Sequence, residues 1–131
     1  MLYVWIGLGG AIGSALRYAV SLLGARLGET LFPWHTLACN AVGAFALGML
    51  IAFADRKRMH VYWKEGLGTG VLGGFTTLSA FGGETVKLAQ AGHGALAIAY
   101  VAVSIAAGIA LAAAGIAVGG SVRGKERPAD G

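Results

Sequence analysis

The charged residues of this chain are absent from long stretches. No Asp, Glu, Lys or Arg occurs from Met1 to Leu16, from Thr30 to Ala54, from Gly66 to Gly83, or from Leu88 to Val122. A helix that crosses a bilayer needs about 20 mostly apolar residues, and these windows, with the third the shortest of the three that follow Arg17, approach or exceed that length. Six acidic and ten basic residues in 131, with 56% of positions hydrophobic, cannot supply the polar surface that a water-soluble domain of this size exposes. The composition therefore points to one membrane domain with lipid as its solvent. The first window has no basic start and carries Arg17 where a cleavage site would fall, so it reads as a retained helix and not as a signal peptide.

Loop and breaker residues divide the chain into four expected spanning helices at 2–23, 32–54, 63–91 and 95–119, with a polar tail over 121–131. Pro33 suits a helix start, where its missing N–H costs nothing. The stretch from Asp55 through Arg56, Lys57 and Arg58 to Tyr62, Trp63 and Lys64 is a basic, aromatic connector of the kind found at a membrane surface. Gly92-His93-Gly94 is short enough to force the last two helices into an antiparallel pair. The net charge of +4 is spread over loops and tail without the aromatic interleaving of a nucleic-acid surface, so no nucleic-acid partner is expected. Cys39 is the only cysteine and reads as a small apolar residue.

Glycines recur at a spacing of four in Gly9 and Gly13, in Gly66, Gly70 and Gly74, and in Gly115 and Gly119. Such rows place small residues on one helix face, where close backbone approach drives association in lipid. Each row fits tight packing within the chain as well as a dimer seam. The run Gly7 to Gly13 superficially matches a dinucleotide-binding loop, but Ile12 interrupts the pattern and no strand precedes it.

The stretch Gly73-Gly74-Phe75-Thr76-Thr77-Leu78-Ser79-Ala80-Phe81-Gly82-Gly83 sets paired glycines and hydroxyl residues inside the third window. A mid-membrane break is expected near 73–79, because glycine weakens a helix and broken helices at membrane depth present carbonyls and helix ends to ions. The rival reading is a kinked helix whose Ser and Thr bond their own backbone. Asn40 is a second polar residue in a helix centre; its amide offers two donors to an anion or a bond to another helix. Tyr100 and Ser104 lie four apart and share a face. The deep part of each helix lacks carboxylates and lysines, whereas proton-coupled carriers and cation pores commonly use acidic groups there. Amide and hydroxyl donors with aromatic ring edges suit a small anion. No nucleophile, base and orienting group assemble from these residues, so an enzyme is not expected.

Three motifs in order now resemble one family. Gly9-Gly10-Ala11-Ile12-Gly13 with Arg17-Tyr18, Pro33-Trp34-His35-Thr36-Leu37 with Asn40, and Gly73-Gly74-Phe75-Thr76-Thr77 with Ser79 and Phe81 are similar to the opening helix, second-helix entry and third-helix break of the bacterial fluoride channels of the Fluc type, also called CrcB. The resemblance implies an antiparallel, dual-topology homodimer in the bacterial inner membrane, with two fluoride pathways and one structural sodium ion at its centre. It implies that backbone carbonyls of Gly73 and Thr76 hold the sodium and that Asn40 and Phe81 touch fluoride. Tyr100 and Ser104 then continue the route, with Thr36, Thr77 and Ser79 along it and Arg17 towards a vestibule. Leu78 stands where the motif usually has a second pore phenylalanine, and Gly108 where a serine extends the polar track. The resemblance therefore implies weaker conduction here. Basic residues also favour one side: Arg56, Lys57, Arg58, Lys64, Arg123, Lys125 and Arg127 against Arg17, Arg26 and Lys87. That bias leaves open a heterodimer with an inversely oriented paralogue. The alternatives are a four-helix multidrug or cation exporter, which would need an embedded acid in helix one, and a non-transporting membrane assembly subunit.

Overall fold

A computed structural model of the chain describes residues 1–26, 28 and 30–121. The expected polar tail, with Arg123, Lys125 and Arg127, lies beyond Ser121 and outside the described residues. Among the described residues all regular structure is helical: α1 (Leu2–Arg26), α2 (Trp34–Lys57), α3 (Val61–Glu65), a π-helical run Gly66–Leu72, α4 (Gly73–Phe75), α5 (Leu78–Gln90) and α6 (Gly94–Ser121). These make four helical legs, the third being everything from Val61 to Gln90. Three helices, α1, α2 and α6, are long and apolar enough to cross a membrane. Large apolar side chains such as Leu8, Ile12, Ile51, Ile98 and Ile109 stand exposed along them, the pattern expected when lipid covers the outside.

The helix ends follow local chemistry. α2 stops where Arg58 turns into the left-handed region (φ 47°) and returns its N–H to the Ala54 carbonyl, satisfying one of the orphan carbonyls of the last turn. His60 caps α3 through Nδ1, which accepts from the Tyr62 N–H at 3.4 Å. Gly92 takes φ 83°, a backbone conformation that glycine adopts without a steric penalty, and this turn lays α6 back against α5.

Two glycine-mediated seams hold the legs together. α1 packs on the π-helical run and α4, while α2 packs along α6. A Cβ on Gly13 would overlap the Val71 carbonyl, and one on Gly115 would overlap the Phe45 carbonyl. The rows Gly9 and Gly13, Gly66, Gly70 and Gly74, and Gly115 and Gly119 all meet backbone of a neighbouring leg, so each serves packing within the chain. The π-helical run lies on the α1 seam; wide turns of this kind are rare and commonly accompany functional sites. Gly115→Val is expected to destabilise the folded protein by roughly 1–3 kcal/mol through overpacking, read as earlier unfolding of the purified protein in a denaturing-detergent titration. Unchanged unfolding would mean that α2 and α6 separate at no cost.

Candidate functional site

The third leg loses its helical pattern at two residues. Thr76 (φ −77°, ψ 154°) and Thr77 (φ −149°, ψ 119°) are extended between α4 and α5. Asn40, in the middle of α2, clamps this point from both sides: its Oδ1 accepts the Thr77 N–H at 2.7 Å, and its Nδ2 donates to the Thr77 carbonyl at 3.0 Å. A side-chain amide is well suited to this, since it carries donor and acceptor in the same plane as a peptide group. Thr77 then caps α5, its Oγ1 accepting the Ala80 N–H at 3.2 Å, which meets the usual need of a helix start.

These bonds have a consequence for the carbonyls upstream. In a continuous helix the Thr77 N–H would serve the Gly73 carbonyl and the Ala80 N–H would serve the Thr76 carbonyl. Both donors are diverted, the first to Asn40 and the second to the Thr77 side chain. The intervening Gly74 carbonyl receives Arg17 Nε at 3.2 Å. Thus the carbonyls of Gly73, Phe75 and Thr76 have no helical donor among the described residues, and Arg17 tends that of Gly74. Thr76 itself is held by Oγ1 donating to the Leu72 carbonyl at 2.9 Å.

An open cleft of about 860 Å³ lies beside the break and brings together Asn40, Gly73, Thr76, Thr77, Phe81 and Ser104, with Leu78 at its edge. Leu78 is 82% exposed, so this face of the bundle offers a large apolar side chain with nothing over it. Ser104 Oγ is buried and has no hydrogen-bond partner among the described residues, an uncommon state for a buried polar atom. Asn40 also lines this cleft, and its Nδ2 carries a second N–H beside the one given to Thr77. Ser79 does not line the cleft; its Oγ lies 3.2 Å from Thr77 Oγ1 on the exposed side.

Thr36 and Tyr100 form a second group. Tyr100 is fully buried and Thr36 nearly so, and both hydroxyls donate to Glu84 of α5, Thr36 to Oε1 at 2.7 Å and Tyr100 to Oε2 at 2.8 Å. His35 Nε2 lies 3.2 Å from Oε1 of the same carboxylate. The Tyr100 ring packs against Phe81 with centroids 5.2 Å apart and edge-on to Phe32 at 5.3 Å, so Phe81 joins the two groups. From the sequence, Glu84 falls with Lys87 one to two turns beyond the expected break, outside the deep part of the helices, with no site role. Its available signal was isolation: it is the one acidic residue between Glu65 and Glu126, and a carboxylate alone in so apolar a region must find donors from its neighbours. The protein is thus a small helical membrane protein whose legs converge on an interrupted segment, with spare carbonyls and a cleft of amide, hydroxyl and aromatic groups.

The sequence model of the CrcB-like proteins, Camphor Resistance (CrcB), matches residues 4–116. The chain is 45% identical over 123 residues to the fluoride-specific ion channel FluC 2 of Bacillus licheniformis, covering 93% of this chain and 89% of the relative. It is 42% identical over 115 residues to the fluoride-specific ion channel FluC of Agrobacterium fabrum, covering 87% and 92%. It is also 42% identical over 123 residues to FluC of Deinococcus radiodurans, covering 90% and 94%. The chain belongs to the CrcB family.

Proposed function

We propose that this chain is a fluoride-selective ion channel, a multi-pass protein of the bacterial cell membrane that lets fluoride leave the cell and so limits its toxicity. Its likeness to fluoride-specific channels along nearly the whole of both sequences carries this reading. The activity is transport and not catalysis. The exporter and assembly-subunit readings find no comparable support, and α1 carries no acid.

The third leg acts as a broken membrane helix. In an antiparallel dual-topology dimer, the freed carbonyls of Gly73 and Thr76 from each subunit hold one sodium ion at the centre. The donor set fits such an ion, because a hard cation prefers oxygen ligands and the diverted N–H groups leave these two oxygens without competition. When bound, sodium would supply positive charge beside that of Arg17, whose Nε bonds the intervening Gly74 carbonyl. Membrane lipid covers α1, α2 and α6, and the exposed Leu78 face receives a second copy or an inversely oriented paralogue.

Fluoride passes along Asn40, Thr77, Phe81 and Ser104, with Tyr100, Thr36 and Ser79 further along the route and Arg17 towards a vestibule. The difficulty of permeation is dehydration: even a carboxylate-sized ion loses on the order of 20 kcal/mol by the idealised Born estimate on leaving water. Several donors must replace water together. The second Asn40 N–H, the unpartnered Ser104 hydroxyl and the positive ring edge of Phe81 are such donors. Chloride is larger and less strongly hydrated, so it gains less from them and fits a narrow path poorly.

Leu78, at the cleft edge, has no electropositive ring. Leu78→Phe is expected to raise fluoride flux several-fold in liposomes, by adding an aromatic edge worth ~0.5–1 kcal/mol of barrier; unchanged flux would remove Leu78 from the path. The function itself is tested in bacteria lacking their own fluoride exporter. Expression should restore growth at inhibitory fluoride, and growth no better than with an empty vector would contradict it.

A further inference from the structure

Glu84 sets a carboxylate directly against the proposed anion route, bonded by the hydroxyls of Thr36 and Tyr100 and one ring away from Phe81. An uncompensated carboxylate there opposes an approaching anion. The same carboxylate faces a second cleft of about 480 Å³, lined by Thr30, Pro33, His35, Lys87 and Leu88 among others. His35 stands at this cleft with its Nε2 at 3.2 Å from Glu84 Oε1, and its side chain is 40% exposed against 21% for Glu84. The imidazole is therefore the more exposed of the two partners.

Resting on the fluoride-channel reading, we infer that His35 is a positioning residue that tunes anion passage with pH by compensating Glu84. An imidazole is the side chain that gains charge within the physiological range. Protonated, His35 pairs with Oε1, cancels the carboxylate charge and competes there with the Thr36 hydroxyl, which bonds the same oxygen at 2.7 Å. Unprotonated, it leaves Glu84 with the hydroxyls of Thr36 and Tyr100 alone and with its negative charge uncompensated. Flux therefore rises as pH falls. Among the described residues, the charged and titratable groups around the pair are Glu84 and Lys87 on α5, Tyr100 on α6 and His35 on α2. From α1, Gly24 comes against His35, where an added Cβ would lie 3.3 Å from the His35 Cβ, and Arg26 ends that helix.

The test is fluoride efflux from proteoliposomes at a series of pH values from about 6 to about 8, the span over which an imidazole titrates. Protein-free vesicles at each pH subtract the leak of neutral hydrogen fluoride. The unaltered chain should carry roughly fivefold more flux at the acid end, in keeping with the modest strength of a half-exposed ion pair. His35→Gln should be flat at the alkaline level and His35→Lys flat at the acid level, while Lys87→Gln keeps the slope. A His35→Gln variant that retains the unaltered pH profile overturns the role of His35 and leaves the channel reading standing. Silence of the unaltered chain and of His35→Lys at every pH overturns both.

Discussion

Asn40→Ala is expected to reduce fluoride flux by at least about a hundredfold while the protein still folds and purifies. The side chain makes two hydrogen bonds to Thr77, at 2.7 and 3.0 Å, one to the N–H and one to the carbonyl of the same residue. Without the clamp, the Thr77 N–H is free to return to the Gly73 carbonyl and the extended pair at Thr76 and Thr77 loses what holds it. The Gly73 oxygen is then occupied, and the amide is lost from the lining of the cleft. A loss of two or more hydrogen bonds at ~1–1.5 kcal/mol each gives the expected factor in rate. Asn40→Asp is informative beside it: the carboxylate still accepts from the Thr77 N–H but cannot donate to the Thr77 carbonyl, and it adds negative charge to the anion path. Flux within a fewfold of the unaltered chain for either variant would mean that the Thr77 clamp has no part in permeation.

The second large effect falls on stability. Glu84→Ala removes the acceptor of two buried hydroxyls, Thr36 and Tyr100. Leaving a buried polar group without a partner costs about 1–3 kcal/mol, so the variant should lose roughly 2–5 kcal/mol against denaturing detergent. Glu84→Gln should lose less, because its amide oxygen still accepts one hydroxyl. Equal losses for the two variants would place the energy in packing and not in these hydrogen bonds. Fully buried Tyr100 reports on the same contact: its ring sits between Phe32 and Phe81, and loss of the carboxylate should loosen that stack.

Much of the helical outline was legible because it depends on local properties. Charge-free windows mark α1, α2 and α6, and glycines four apart mark the seams that hold them. Spacing alone could not decide whether those glycines met their own chain or another, since a small residue on a helix face looks the same for either neighbour; the carbonyls of Val71 and Phe45 supply the answer. The paired glycines Gly73 and Gly74 drew attention to the right region, yet they lie at the start of helical α4 and the extended residues are Thr76 and Thr77. The position of the interruption is set from outside the segment, by Asn40, 37 residues earlier in the chain.

The same reason hid Glu84. Its partners Thr36 and Tyr100 stand 48 and 16 residues away, and nothing in the local pattern joins them. The resemblance sets Arg17 towards a vestibule, and the structure adds a contact of its Nε with the Gly74 carbonyl. That contact could have been anticipated only by knowing that a carbonyl near residue 74 would need a donor. The π-helical turns at Gly66–Leu72 were likewise illegible, because they arise from the fit of that run against α1.

The central claim is that an interrupted leg, pinned open by one asparagine, lets a lining of amide, hydroxyl and aromatic groups pass fluoride and refuse chloride. Efflux from liposomes that contain only the purified chain tests it most directly, with fluoride and chloride electrodes reading parallel samples. The account predicts prompt fluoride release, lost in Asn40→Ala, with chloride held at the level of protein-free vesicles. Vesicles that stay tight to fluoride, or that release chloride as readily, would contradict it.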